Sequence, residues 1–593
     1  MFGGSYMAKD VSTKVTRSMF FKLLPMQIFA VGILSLNSVL NSLIIGNMLG
    51  ADHLSVFGYM IPLGSIHIML GGGIASGSQI LCGRYIGRGE KEKISGTYAA
   101  VSIMCIVIGL LLTIVYQLFS EPIATMLGAS SGKALEYTSA YIRGQGWSII
   151  FMLFSSSMIP FLQLNNASGV MYASIGVMTA SNILLDLLSI SVSDGMYGIG
   201  LASTAAYILA DAVILLYCIS KKCPMHFSLK DFAWKYVGKI FRLGLPNLTR
   251  PFCLAIRNAI ITNVAVSQNP LSATALAIQS NMAVFADALG GGIDGSNNMI
   301  ASIYYGERDK ESLRDAAAFM LKIDGILQVS LYVVIFFVAE PFARLFGADD
   351  ASIRFVTHAM RVIMLYLVTN FCMNSIYNFY KGIGKTTLVT IINFFNYLLI
   401  PVAAILLLPK NDNVDNVWFG WLFPEVICFI GLIIYSAIKR RKFPRKLKEI
   451  AYVPESFGIE SSDRYDATIR TMNDISGVSE NAINFCKGKG LDSKKSYYCG
   501  LCIEELAVSI IEHGKEHKKH TANCEIDLRM IYENDGISIL LRDNYPHFDP
   551  MSWMKMHEPE DPMRYLGLRM VTKLAEDVNY STALSLNVLS IRI

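Results

Sequence analysis

The sequence predicts an all-α polytopic membrane protein of twelve transmembrane helices in two six-helix bundles, followed by a soluble α+β domain. Three observations support this prediction. Apolar residues form twelve long blocks before residue 440, the first half of these blocks is repeated by the second half, and the composition changes after them. The chain of 593 residues is 53% hydrophobic and 16% charged, whereas soluble proteins carry about a quarter charged residues.

The twelve apolar blocks are each about as long as a membrane-spanning helix, which needs about 20 residues. Twelve such blocks in a row favour membrane helices over the buried helices of a large soluble protein. They cover residues 18–48, 54–82, 95–119, 136–161, 168–192, 197–219, 245–267, 273–302, 317–338, 354–379, 386–409 and 415–438.

The charges of the loops predict the orientation, because loops rich in Lys and Arg stay in the cytoplasm. Basic residues follow the second, sixth and twelfth blocks, the last in "KRRKFPRKLK" from Lys439, while the alternate loops are poor in them. No cleavable signal peptide is apparent. We therefore expect a multi-pass protein of the plasma (inner) membrane with both termini in the cytoplasm and its eleven scattered cysteines reduced.

An internal repeat relates the two halves. "GGGIASG" from Gly71 matches "GGGIDG" from Gly290, and "EPIATMLGAS" from Glu121 matches "EPFARLFGAD" from Glu340 at the same offset. Six spans per half predict parallel repeats with a substrate path between the bundles. The glycine clusters have two interpretations, close helix packing or hinging on the one hand and substrate contact on the other.

These paired halves, with "GGG…YIGRGEKEK", "GGG…YYGERDKES" and the twin "EP" turns, resemble the multidrug and toxic compound extrusion (MATE) family over residues 15–440. The resemblance implies a twelve-helix antiporter that expels organic cations or other amphipathic compounds while Na⁺ or H⁺ enters. The predicted organisation is a cytoplasmic N-terminus, a first bundle, a basic linker, a second bundle, a second basic linker and a tail domain. In that order, these six regions cover residues 1–17, 18–220, 221–244, 245–438, 439–464 and 465–593.

The fifth and sixth blocks contain the strongest candidate for ion coupling. In "SNILLD", Asn182 and Asp186 share one helix face, and an intramembrane carboxylate indicates function. A carboxylate beside an amide is able to coordinate Na⁺ or take a proton, and Thr204 adds a hydroxyl. The resemblance places the cation site of the first bundle at Asn182, Asp186 and Thr204. It also implies an Asp in the first helix, where this sequence has Asn41, which leaves Asp186 as the predicted coupling acid.

Further intramembrane charges are secondary candidates for the cavity. Asp287 and Asp294 share a face and flank the second glycine cluster. Arg257 is a candidate ion-pair partner of Asp287, a solvated cavity wall being the other interpretation. Asp211 in the sixth block and Glu425 in the twelfth are further acids of the apolar blocks.

The tail, residues 451–593, differs from the rest in charge and pattern. Its net charge is −6, from 16 basic and 22 acidic residues, whereas residues 1–450 carry +11, from 35 and 24. Alternating apolar residues around Asp535-Gly536 predict a β-hairpin. "DSKKSYYCGLCIEELAVSIIEHG" and "LGLRMVTKLAEDV" predict helices, and "NVLSIRI" a final strand.

The tail resembles the α+β sandwich of the histidine-kinase-like ATPase type over residues 465–593, nearer the anti-sigma-factor kinases. The resemblance implies ATP and Mg²⁺ bound by Glu505 and Ser509 on one helix, by Asp543 at the adenine and by Gly567 in the lid. Ser509 stands where the family has a magnesium-binding Asn, and Tyr545 where it has a Gly.

Two other tail motifs favour structural interpretations. "CGLC", from Cys499 to Cys502, lies within a predicted helix and is interpreted as packed thiols. His513 and His517 share a helix face without an evident third ligand, so no metal site is predicted.

The sequence thus predicts a secondary transporter, not an enzyme, which exports small amphipathic or cationic substrates across the lipid bilayer in exchange for Na⁺ or H⁺. The tail is expected to be regulatory, acting through a nucleotide or a cytoplasmic regulatory protein, and no nucleic-acid partner is expected. One alternative is a lipid-linked-saccharide flippase. The other is a membrane sensor kinase, although residues 440–500 lack the His that a phosphoacceptor helix requires.

Overall fold

The computed structural model places helix within every one of the twelve predicted apolar blocks. Seven of the described helices are long and apolar enough to cross a membrane, or eight when a pair bent by 54° is counted as one span. The structure describes residues 16–593 except 18, 34–43, 45–47, 50, 89, 130–131, 166, 193–194, 221–228, 347–349, 408–414, 518–523, 534–535, 551, 553–565 and 584–585.

The first half is an all-helical bundle whose fourth span is the bent pair α4–α5. Its helices are α1 (Met19–Ile33), α2 (Ala51–Gly87), α3 (Lys91–Met126), α4 (Gly132–Gly146), α5 (Ile149–Leu164), α6 (Ser168–Val192) and α7 (Met196–Ile219).

The second half repeats this arrangement. Helix α10 begins and ends at the positions that the sequence repeat makes equivalent to the ends of α3, so the predicted repeat is confirmed in three dimensions. The helices are α8 (Trp234–Gln268), α9 (Leu271–Gly306), α10 (Lys310–Leu345), α11 (Ile353–Met364), α12 (Leu367–Gly382), α13 (Thr386–Phe394), α14 (Ile400–Leu407), α15 (Asp415–Trp418) and α16 (Leu422–Arg440). A π-helical segment, Phe395–Leu399, joins α13 to α14.

Large apolar side chains are exposed along the outer faces of both halves. On α3 these include Leu110, Leu111 and Leu118, and on α10 Val334 and Phe337. Soluble monomers rarely expose contiguous apolar surface of this kind. The exposed faces are therefore the lipid-facing surface of the bundle.

The glycine clusters lie at contacts between the two halves. A Cβ on Gly77 of α2 would stand 2.2 Å from the Ile240 carbonyl oxygen of α8, and one on Gly244 would stand 2.1 Å from that of Gly73. In the second cluster, a Cβ on Gly292 or Gly295 of α9 would stand 2.5 or 2.6 Å from side-chain atoms of Ile28 and Gln27 on α1. These contacts support the packing interpretation, because only glycine lets the backbones approach so closely.

Helices α2 and α9 also cross each other along a seam of residues that the repeat makes equivalent. Asn298 Nδ2 donates a hydrogen bond to Gln79 Oε1 at 3.1 Å. One turn further along α2, a Cβ on Gly83 would overlap the Ser302 hydroxyl. After another turn, Gly87 packs against the backbone of Gly306. Each pair has the offset of the sequence repeat, so the seam lies along the axis that relates the halves.

The tail is a five-stranded antiparallel sheet with helices packed on it, with strand order β1-β2-β3-β5-β4. Its elements are β1 (Arg464–Ile469), α17 (Met472–Gly488), α18 (Ser493–His517), β2 (Ile526–Glu533), β3 (Gly536–Asp543), α19 (Leu566–Leu574), β4 (Asp577–Ala583) and β5 (Leu586–Arg592). The predicted hairpin, helices and final strand are confirmed, while β1 and α17 had not been identified from the sequence.

We predict that Gly77→Ala destabilises the protein by about 1–3 kcal/mol, because the new methyl group must push α8 away from α2. Thermal unfolding of the detergent-solubilised protein should show a lower midpoint temperature. Gly64→Ala, on the same helix with no atom within 4 Å of its Cβ position, is the control and should not lower the midpoint. Equal midpoints for both variants would contradict the packing interpretation.

Candidate functional site

The predicted coupling residues lie on α6 where it packs against α7. Asp186 is fully buried, and neither of its carboxylate oxygens receives a hydrogen bond from the residues that the structure describes. Asn182, one turn earlier, is also buried and donates through Nδ2 to Ser203 Oγ of α7 at 3.4 Å. A buried carboxylate without donors is costly unless a proton or a cation neutralises it.

Thr204 follows Ser203 on α7. Its hydroxyl donates to the carbonyl oxygen of Gly144 at 3.1 Å and lies 3.2 Å from that of Gly200. The hydrogen is therefore committed to backbone, and only the lone pairs of the oxygen are available to a ligand. Asn41, the predicted first-helix member of this site, lies outside the described residues.

Asp211, the other acid of the first half, has a partner. Its carboxylate accepts a hydrogen bond from Ser155 of α5, and only 3% of the residue is exposed. Asp186 and Asp211 are thus both buried acids of one bundle, but they differ in hydrogen bonding. This difference favours Asp186 as the acid that takes up an ion.

In the second half, Asp294 of α9 is the centre of a hydrogen-bonded cluster. It forms an ion pair with Arg250 Nη1 of α8 at 3.2 Å and accepts hydrogen bonds from Asn374 and Asn378 of α12, the latter at 2.8 Å. Arg250 also stands over the ring of Tyr397, with its Cζ 5.1 Å from the ring centroid. The charge of Asp294 is therefore compensated within the protein.

The ion pair expected between Arg257 and Asp287 does not form among the described residues. Arg257 instead donates to Asn258 Oδ1 at 3.2 Å and lies over Trp421. Asp287 is exposed and has no ion-pair partner in the described part of the chain. Of the two interpretations of Asp287, the structure favours the solvated cavity wall.

Several polar residues of the second half were missed by the sequence analysis. Asp324 of α10 is fully buried and accepts hydrogen bonds from Ser375 Oγ at 2.7 Å and Gln328 Nε2 at 2.5 Å. Asn396, in the π-helical segment, donates to Glu425 Oε1 at 3.1 Å. The sequence does contain a signal for Asp324, which is the single acidic residue within the apolar block 317–338. It contains no signal for the π-helical turn that positions Asn396.

The tail residues assigned to a nucleotide already form hydrogen bonds within the protein. Ser509 Oγ donates to the Glu505 carbonyl oxygen of its own helix at 2.7 Å, which, as for Thr204, leaves the lone pairs of its oxygen available to a ligand. Asp543 Oδ1 accepts from Asn587 Nδ2 at 2.6 Å and from the backbone amide of Tyr545 at 3.0 Å. One oxygen of the acid that the resemblance assigns to adenine is therefore engaged by internal donors.

The ring of Tyr545 closes the same region. It packs on α18, where a Cβ on Gly514 would stand 2.2 Å from the ring, and Phe548 stacks on His513 with centroids 4.6 Å apart. The helix and the adenine segment therefore contact each other directly.

Burial raises the pKa of Asp543 to about 7. Gly567 lies at the start of α19, and the preceding residues 553–565 are outside the described part.

The remaining tail motifs have structural surroundings. Cys499 and Cys502 are buried free thiols in the tail core, which agrees with the packed-thiol interpretation. The structure adds Glu516 to His513 and His517, so that three ligand atoms lie within 4.8 Å of one another, a grouping that the sequence analysis had not found. Glu516 and His517 are exposed to solvent.

Comparison with known protein families matches two regions of the chain. The MatE family matches residues 27–188 and 243–406, more than half of the chain, and the histidine kinase-like ATPase domain family matches residues 471–593. Both resemblances predicted from the sequence are therefore confirmed.

Individual relatives are distant in sequence but match over most of their own length. The "Probable multidrug resistance protein YoeA" of Bacillus subtilis is 21% identical over 72% of this chain and 94% of its own length. The "Multidrug export protein MepA" of Staphylococcus aureus is 22% identical over 67% of this chain and 88% of its own length.

Solved structures share the fold. An outward-facing multidrug resistance MATE family transporter of the MOP superfamily superposes with a TM-score of 0.66 at 19% identity, covering 71% of this chain and 96% of that one. A MOP superfamily transporter from Pyrococcus furiosus, described by the reverse polarity of its binding pocket, gives 0.64 at 19% identity with the same coverage.

We predict that the full-length protein shows no saturable binding of MgATP in isothermal titration calorimetry, because the Tyr545 ring packs against α18 and internal donors already engage Oδ1 of Asp543. Tyr545→Gly, which restores the family's residue, tests whether the ring is the obstacle. Saturable binding to the wild type that Asp543→Asn abolishes would contradict this prediction.

Proposed function

Because the chain belongs to the MatE family, we propose that it exports small amphipathic or cationic compounds in exchange for Na⁺ or H⁺, with Asp186 as the coupling acid. The observation that carries this proposal is the burial of the Asp186 carboxylate without a hydrogen-bond donor in the described structure. The MATE fold and the multidrug exporters among its relatives support the class of substrate.

Exchange follows if the ion and the substrate prefer different conformations. An ion at Asp186 removes the cost of the buried charge and so stabilises the conformation in which α6 and α7 enclose the carboxylate. A substrate that binds the other conformation more tightly displaces this equilibrium. Coupling then needs no direct contact between ion and substrate.

The second half supplies the carboxylate that we assign to the substrate. Asp294 is compensated by Arg250 and two asparagine amides, whereas Asp287 lies two helical turns earlier on α9 with an exposed side chain. An exposed carboxylate within a bundle attracts an organic cation without the desolvation cost of a fully buried one. We therefore place the cationic group of the substrate near Asp287.

We also propose that the membrane is the plasma membrane, that both termini are cytoplasmic and that the tail is regulatory. The basic loops support this orientation. The tail packs against the ends of α9 and α10, so it lies on the side from which substrate would enter.

Asp186→Asn should reduce ion-driven efflux of a fluorescent organic cation by at least about ten-fold, because an amide carries no exchangeable charge. The measurement uses proteoliposomes with an imposed Na⁺ or pH gradient. Asp211→Asn, a buried acid of the same half that has a hydrogen-bond donor, is the control and should retain efflux. The assignment fails if Asp186→Asn transports normally, and it moves to Asp211 if only the control is inactive.

Asp287→Asn should raise the KM for a monovalent organic cation about ten-fold with little change in the maximal rate, since one charged contact contributes about 1.5–3 kcal/mol. Transport rates over a range of substrate concentrations measure this effect. Asp350→Asn, an exposed acid of the same half, should leave KM unchanged. An unaltered KM in Asp287→Asn would exclude it from the substrate site.

A further inference from the structure

The tail is held to the bundle by acids of the loop between α9 and α10. Arg542 of β3 donates from Nη1 to both carboxylate oxygens of Glu307 at 2.8 Å, and its other terminal nitrogen, Nη2, binds Asp527 at 2.7 Å. The side chains of Glu307 and Arg542 are 5% and 9% exposed. Charges buried to this degree are costly to separate, since each would lose its partner away from water.

Asp309 provides a second buried contact. Its carboxylate caps α10 by accepting from the Ser312 amide at 3.1 Å. The same carboxylate forms ion pairs with Arg529 at 2.7 Å and Arg464 at 3.3 Å. Although burial alone opposes ionisation, these guanidinium groups and the cap hold the pKa of Asp309 below its usual range. One residue thus joins the start of a membrane helix to two strands of the tail.

Ion pairs at the rim of the contact extend it along the same loop. Glu455 of the linker binds Lys310 and Arg314 at 2.5 and 2.8 Å, and Arg308 binds Glu533 of β2 at 2.8 Å. Arg308 has a φ of 55°, a left-handed conformation that favours glycine. At the position that the repeat makes equivalent, the first half has Gly89.

Both halves contact the tail or its linker. In the second half, Tyr305 of α9 stacks on Phe457 of the linker with ring centroids 4.7 Å apart. In the first half, helix α5 lies against β4 of the tail. Tyr305 also joins the linker contact to the α2–α9 seam, because Arg84 of α2 stands over its ring with the Cζ atom 4.7 Å from the centroid. The tail and its linker therefore contact both halves, directly through β4 and through Tyr305 at the seam.

We propose that the tail is a clamp that stabilises the transporter in the state closed on the tail side, by binding both halves across the α2–α9 seam. The proposal rests on the antiport function in that this seam must open for substrate to enter. Opening separates Arg84 from the Tyr305 ring that stacks on the linker, and it moves α5 away from β4, so the contact of the tail with the first half exists only in the closed state. A domain with such differential contacts shifts the equilibrium toward that state.

Labelling of a cysteine within the seam tests the clamp in the full-length protein. Ser302 is fully buried on α9 and faces Gly83 of α2. Ser302→Cys, in a background whose native cysteines are replaced, is treated in detergent with a small charged thiol reagent. We expect slow labelling with the tail docked and about ten-fold faster labelling in Arg529→Ala plus Arg542→Ala, within the usual range of coupling between sites.

Two further variants make the result decisive. Arg592→Ala removes an exposed arginine of the same sheet that pairs only with Glu576 in the described part. In this variant the cysteine at position 302 should be labelled at the same rate as with the unaltered tail. Glu307→Gln leaves the tail sequence intact and should accelerate labelling as the arginine variants do. Acceleration by the arginine variants alone would overturn the clamp, since it would trace to unfolding of the tail.

Unchanged labelling in both the arginine variants and Glu307→Gln would also overturn the clamp. The labelling rate needs neither substrate nor an ion gradient. Loss of the clamp and failure of the proposed efflux are therefore separate outcomes.

Discussion

The buried carboxylate of Asp186 imposes the constraint on which the proposed function of the bundle depends. Within helices that expose Leu, Val and Phe to lipid, a charge without donors is stable only when a proton or cation accompanies it. The other described acids of the bundle interior meet the same constraint differently. Asp294 has Arg250 and two amides, Asp324 has Ser375 and Gln328, and Glu425 has Asn396. Among the described buried acids of the bundle, Asp186 is the one that receives no hydrogen bond from the described residues, and for this reason we assign the ion to it.

Close packing of the two halves connects this local chemistry to a global change. Gly77 brings α2 into backbone contact with α8, and Gly87 and Gly306 bring α2 into backbone contact with α9. The seam between α2 and α9 is built from equivalent positions of the repeat, and its side-chain contacts are single ones, such as Asn298 with Gln79 and Arg84 with Tyr305. The repeated glycine clusters are explained by this packing, and substrate contact is not needed to account for them.

The bundle was predictable because its signals are local or periodic. Apolar blocks long enough to span a bilayer and a constant offset between the two halves define the helices and their pairing. The partners of individual charges were not predictable. Arg250 and Asp294 lie 44 residues apart, Glu307 and Arg542 lie 235 residues apart, and only helix orientation and tail docking bring them together. For the same reason the sequence could not decide whether Arg257 pairs with Asp287, and the structure gives Arg257 other partners, Asn258 and Trp421.

The tail keeps the fold of the histidine kinase-like ATPase family while its sheet also contacts the bundle. Around Asp543, Asn587 and the backbone amide of Tyr545 donate to one carboxylate oxygen, and Arg529 and Arg542 of the same sheet pair with Asp309 and Glu307 of the bundle.

Ion release on substrate binding is the most direct test of the central claim, that Asp186 exchanges an ion for substrate. Protons and ²²Na⁺ released when a saturating organic cation is added to the purified protein are counted in weakly buffered detergent solution. The account predicts that the wild type releases one of these ions with each substrate bound and that Asp186→Asn binds substrate without release. Equal release from both proteins would contradict it.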